Sequence, residues 1–400
     1  MNLEGQMKTI TVALISSLSF LTACNSTQTN LVPPPLSLTQ ANEFIVSEVE
    51  SQEQIFALTP QIKEQLNTAF PKEARTLQNA KKLLYFLLKN GDSSLSYQSG
   101  ATLTAGQSYA NLNANCLSLS ILAYSLAEHL GLEGQFQQVH IPEYWALNNG
   151  FNLLTGHINL KVKESNKASV NHKVIYPQER AIIIDFDPNS RQEAFRTTNI
   201  NKARITAMFY NNKGVSAMLK NDYDLAYSYY LAAINADYKY SGAWGNLGVL
   251  FRLNNDFQRA ETAYQYAITL NSDNNTALGN LARLYNLTDR VQQGREILAM
   301  LDKKRQANPY YHISLGNDAY TTKRYRDAIK HYRKARELDP KLHDTDFGLA
   351  RTYYQLGDLK LAKKYLTMAN DKADFEEDKK RYESKLRALR SHTAKLSYHD

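Results

Sequence analysis

The sequence predicts an α+β domain followed by an all-α solenoid. Two observations carry this. Apolar spacing is helical up to about residue 130, then shows an alternating stretch at 157–162 and a short apolar run at 181–186, and helices followed by strands make an α+β domain. From residue 207 onward the chain repeats itself with a period of 34, the mark of a stacked helical array.

The elements follow in order. Thr9 to Phe20 is an uncharged apolar run preceded by Lys8 and followed by Leu21-Thr22-Ala23-Cys24. A basic start, a short apolar stretch and a small-residue cleavage site form an export signal, and the run is too short to span about 30 Å of bilayer. Leu-Thr-Ala-Cys resembles the bacterial lipobox. That resemblance implies cleavage before Cys24, a diacyl lipid on its thiol, and residues 1–23 as signal peptide. Met7-Lys8 is a more usual signal start than Met1. Asn25 stands where lipoproteins held at the inner membrane usually carry Asp, so the expected place is the outer membrane, facing the periplasm. Residues 24–37, polar and ending in Pro33-Pro34-Pro35, read as a tether.

Residues 38–200 make the α+β domain. Helical periodicity runs over 38–90, with Thr59-Pro60 as a start signal and a striped helix from Ala74 to Leu88 closed by Gly91. Residues 91–115 read as loop. A second helix spans Cys116 to Leu130, closed by Gly131. His157 to Val162 alternates polar and apolar, and Ala181 to Phe186 is a short apolar run; both read as strands.

With 43% hydrophobic residues the 400-residue chain can build real cores, two or three domains' worth. Its net charge of +8 is uneven: 14 basic and 16 acidic residues in the first 200, against 33 and 23 in the rest. The basic half alternates with acids, which reads as a solvated helical surface and not as a nucleic-acid footprint. Histidines show no metal-ligand spacing and no phosphate loop is present, so no cofactor is expected.

There are two cysteines. With Cys24 lipidated, Cys116 has no partner, and in an exported protein a lone thiol is either buried and inert or kept for chemistry. Cys116 sits where loop becomes helix, and free N–H groups at a helix start favour a thiolate. His157 at the start of one strand and Asp185 at the end of the next could supply base and orienting acid.

The stretches Thr102 to Tyr109, Asn115 to Ser120, Gly156 to Leu160 and Ile184 to Pro188 together resemble the transglutaminase-like superfamily over roughly residues 75–190. The resemblance implies a papain-like α+β core with Cys116 as nucleophile, His157 as base and Asp185 as third residue, acting on an amide or acyl carbonyl. Asp187 lies on the same strand face and directly precedes the proline; Asp185 is preferred as nearer the strand body. Ala114 stands where that family usually has Gly.

The 34-residue copies start at Ala207, Ser241, Asn275, Pro309 and His343, and end at about residue 376. Position 8 holds Gly214, Gly248, Ala282, Gly316 and Ala350; position 20 holds Ala226, Ala260, Gly294, Ala328 and Ala362. Position 24 holds Tyr230, Tyr264, Leu298, Tyr332 and Leu366, expected to fill the gap to the next copy. These residues resemble the tetratricopeptide repeat, which implies five stacked helical hairpins. Residues 377–400 read as a solvating cap helix and tail. By analogy, positions 9 and 12 line the concave side. They are Val215 and Met218, Val249 and Arg252, Arg283 and Asn286, Asn317 and Tyr320, then Arg351 and Tyr354. The apolar end suits docking on the preceding domain. Arg283, Asn317, Tyr320, Arg351 and Tyr354 suit an extended peptide or acidic tail. Two functions follow: an envelope lipoprotein with a Cys-His-Asp site acting on amide bonds, its partner held by the repeats, or a non-catalytic repeat scaffold for an envelope complex.

Overall fold

The computed structural model describes residues 33–70, 96–97, 102–111, 113–140, 146–148, 151–153, 157–164, 181–186, 196–373 and 376–396. The signal and lipobox residues, the 74–88 helix, Gly156 and Asp187-Pro188 lie outside them.

Three short helices come first: α1 (Leu36–Thr39), α2 (Gln52–Phe56) and α3 (Pro60–Ala69). Ser51 and Gln54 close a capping box on α2, and Thr59 caps α3 ahead of Pro60. Between α1 and α2 the chain is not helical, which corrects the continuous helical reading of 38–90. Its backbone donors go elsewhere. The N–H groups of Ala41, Ile45 and Ser47 donate to Tyr227 Oη, Asp224 Oδ1 and Ser228 Oγ at 3.0, 3.0 and 2.9 Å. Phe44 stacks on Tyr227 at 4.8 Å, and Glu43 pairs with Arg259. This strap therefore belongs to the repeats in space.

The segment read as loop holds β1 (Ser96–Tyr97), α4 (Ala105–Asn111) and β2 (Asn113–Ala114). Helix α5 (Cys116–His129) follows, and Gly131, at φ 74°, turns the chain out of it. Then come β3 (Leu132–Val139), β4 (Ala146–Asn148), β5 (Phe151–Leu153), β6 (His157–Glu164), β7 (Ala181–Ile184) and β8 (Thr197–Ile200). Four strands form an antiparallel sheet in the order β7-β6-β3-β8. One face is apolar. Phe136, Ile158, Leu160, Val162 and Ile184 are buried in a core shared with Leu119, Leu122 and Leu126 of α5. Phe136 stacks on Tyr124 of α5 at 4.6 Å.

The rest is helical: α6 (Lys202–Leu219), α7 (Tyr223–Ala236), α8 (Ser241–Leu253), α9 (Phe257–Leu270), α10 (Asn275–Leu287), α11 (Val291–Gln306), α12 (Pro309–Thr321), α13 (Tyr325–Leu338), α14 (His343–Gln355), α15 (Leu359–Lys372) and α16 (Glu376–Leu396). Copies two to five open on the residues that the period marks, while α6 begins before Ala207, at Lys202 behind the Asn201 cap. Position 15 of every copy is left-handed: Asn221, Asn255, Asp289, Lys323 and Gly357 have φ of 61, 59, 56, 60 and 80°. Such backbone costs an L residue about 1–2 kcal/mol, least for Asn and Asp. Lys323 is the poorest match. Lys323→Gly should stabilise the fold by up to about 1 kcal/mol, read as a higher urea midpoint; an unchanged or lower midpoint counts against this account of the turn.

Position 24 packs on its own copy as well. Each tyrosine ring lies on position 8 of its own copy. A Cβ on Gly214, Gly248 or Gly316 would sit 2.6, 2.7 or 2.6 Å from the ring of Tyr230, Tyr264 or Tyr332. The two copies with Leu298 and Leu366 carry Ala282 and Ala350 instead, so the small residue grows where the large one shrinks. Only the Tyr332 ring is also met by a glycine of the next copy, Gly348, whose Cβ would lie at 2.5 Å. Helix α16 is more than a solvating cap: Tyr382 is fully buried, and its hydroxyl meets His343 Nδ1 at 2.9 Å.

Candidate functional site

Asn115 positions the cysteine. Its Oδ1 accepts from the N–H and the hydroxyl of Ser118 at 2.9 and 2.8 Å, and its Nδ2 donates to Thr102 Oγ1 at 2.9 Å. The Ser118 hydroxyl also accepts from the N–H of Leu103 at 2.9 Å. The helix start is thus tied to the chain that precedes it, and Cys116 is the first helical residue, half-buried, with a free thiol.

His157 opens β6 and is 2% exposed. Its Nε2 lies 2.9 and 2.8 Å from the two oxygens of Asp185, just past β7. The imidazole also meets the Cys116 side chain. Burial works against a charge on this ring, yet its hydrogen bonds to Asp185 and Cys116 outweigh it and lift the imidazole from 6.5 to about 9. The three residue types therefore stand in sequence: thiol, imidazole, carboxylate. Asp187 lies outside the described residues.

A second cluster lies on the repeats. The Arg351 guanidinium donates to Tyr332 Oη at 2.6 Å and to Asn317 Oδ1, and lies 4.1 Å from the centre of the Tyr320 ring. Tyr332 Oη donates to Asn317 Oδ1 at 2.7 Å. Asn317, Tyr320 and Arg351 thus converge, joined by Tyr332, which its position-24 role concealed. Arg351 is held within the fold, so its truncation should cost stability as well as any binding. Arg283 is exposed; with Arg252 it acts on the Tyr264 hydroxyl, which burial nonetheless pushes up to about 12. Tyr354 is 45% exposed. At the other end, Val215, Met218 and Val249 are half-buried against the core cluster that runs from Leu38 to Tyr285.

The fold and its sites define a helical-hairpin solenoid preceded by an α+β domain. Tetratricopeptide-repeat family models match residues 211–275, 251–316 and 319–386, and the C-terminal region is a tetratricopeptide-repeat array. No curated protein matches the chain. Solved structures similar to it include MamA (41-end) of Desulfovibrio magneticus RS-1, at 17% identity, 42% of this chain, 94% of that one and a TM-score of 0.24. Pseudomonas aeruginosa pilF follows at 16%, 49%, 94% and 0.25. YrrB, described as a TPR protein with an unusual peptide-binding site, gives 15%, 44%, 92% and 0.24.

Proposed function

We propose that this chain is a binding scaffold whose repeats hold a peptide-like segment of a partner protein. The supporting observation is the convergence of Asn317, Tyr320, Tyr332 and Arg351, with Arg283 and Tyr354 left open to solvent. Arginine and tyrosine give charge-assisted and stacking contacts to an extended acidic chain. Because Arg351 also holds the fold, the test uses the exposed pair. Arg283→Ala with Tyr354→Ala should remove a specific partner from a pull-down of envelope extract at an unchanged melting temperature. The loss should be on the order of 2–5 kcal/mol if the contacts are desolvated. The same partner recovered in the same amount would sink the groove reading.

A second reading is supported by the buried imidazole between Cys116 and Asp185. In it the sulfur attacks an amide or acyl carbonyl, the imidazole passes the thiol proton to the departing amine, and an acceptor later takes the acyl group from sulfur. This is the transglutaminase-like chemistry that the sequence resemblance implies, with the repeats presenting the substrate.

The location belongs to the same proposal: a lipid on Cys24 tethers the protein to the outer membrane. Cys24→Ala should release it from the membrane fraction or leave the signal uncleaved. Unchanged processing and fractionation would refute the anchor.

A further inference from the structure

The sheet face that carries His157 and Asp185 also carries two buried side-chain amides with nothing to accept from. Asn159 follows His157 by two residues on β6 and shares its face. The register sets Asn159 opposite Gln137 of β3, and Gln137 opposite Asn199 of β8. Leu160 pairs with Ile184, so one step further along brings Asn159 opposite Asp185. The result is a polar row across four strands beginning at the carboxylate of the thiol site.

Asn159 and Gln137 are 5% and 9% exposed. Gln137 Nε2 donates to Asn199 Oδ1 at 3.1 Å. Gln137 Oε1 and Asn159 Oδ1 are buried with no hydrogen-bond partner. Burying a carbonyl oxygen unpaired costs stability, and an apolar residue of similar shape avoids that cost. Cross-strand neighbours hold their Cβ atoms about 5 Å apart, so one group with two N–H donors can serve both oxygens. Two residues of strand put this pair about 7 Å from His157.

We propose that Gln137 and Asn159 form a subsite for a nitrogen carrying at least two N–H donors, a primary amide or an ammonium, on the acyl group presented to Cys116. The proposal rests on the thiol reading above. It deepens that reading by naming the substrate: an acyl chain with an amino or carboxamide nitrogen a few bonds from the reacting carbonyl. The two unpaired atoms are oxygen acceptors, so the pair selects against an apolar end.

Three probes of equal reach test it on the full chain: N-iodoacetyl-glycinamide, N-iodoacetyl-ethylenediamine and N-iodoacetyl-propylamine. Alkylation of Cys116 is followed by peptide mass, which separates it from Cys24. The expected result is that one of the two donor probes outruns the propyl probe about tenfold more than it does on the denatured chain. Whichever donor probe leads identifies the nitrogen. In Gln137→Met with Asn159→Leu the ratio should fall to the denatured value; Asn159→Leu alone replaces the pair if that variant does not fold. A folded wild-type ratio equal to the denatured one overturns the subsite while leaving the thiol reading standing. Failure of all three probes to label folded Cys116 overturns the thiol reading and the subsite with it.

Discussion

Gly316→Ala is expected to lower stability by about 1–3 kcal/mol, although alanine is the better helix former by about 1 kcal/mol. The new Cβ would lie 2.6 Å from the Tyr332 ring, on which Gly348 of the next copy also closes, leaving the ring little room to shift. Tyr332 is fully buried and its hydroxyl is held by Asn317 and Arg351. Gly279→Ala is the control. Its Cβ would meet nothing nearer than Leu301 Cδ1 at 4.0 Å, so helix propensity alone should act and the midpoint should rise. Urea unfolding of the two variants decides; equal shifts in the same direction would show that ring contact does not govern position 8.

The second large effect concerns the imidazole. Asp185→Asn is expected to slow alkylation of Cys116 by iodoacetamide about tenfold or more at pH 7, since the ring loses the group that holds its orientation and charge. Stability should respond with a definite sign. The folded-state value of His157 is raised, so the contribution of its charged pair is complete below pH 6.5 and disappears as pH rises through about 9. The difference in unfolding midpoint between wild type and Asp185→Asn should therefore be widest near pH 6 and shrink toward pH 9.5. A pH-independent difference would show that the pair is not charged in the folded protein.

What the sequence disclosed depended on how local each cause is. The repeat register was legible because it rests on small residues at fixed intervals, Ala226 or Gly248 among them, and each helix closes its own hydrogen bonds. Helix α5 was legible from its apolar stripe and Gly131. Strand β3 was not, because Gly134 and Gln138 stand on the face of Leu132 and Phe136, and Val139 falls on the opposite face among the amides. Helix α4, Ala105–Asn111, has too few apolar residues to carry a period. The strap was out of reach altogether, since Ala41, Ile45 and Ser47 bond to residues 186, 179 and 181 positions away. At the candidate site, the residue types and strand ends could be read. The meeting of His157 with Asp185 across 28 residues, and the share of Tyr332 in the arginine cluster, are tertiary facts.

The strap also decides where tension goes. Its bonds to Tyr227, Asp224 and Ser228 all end on α7. A pull on the chain ahead of Ala41 reaches these bonds, and with them the first repeat, before it reaches Ser51 and α2. Glu50 adds its own grip on α6 and α7 through Tyr210, Lys213 and Tyr229. Force from that end is thus delivered to the first repeat before it reaches α5 or the sheet.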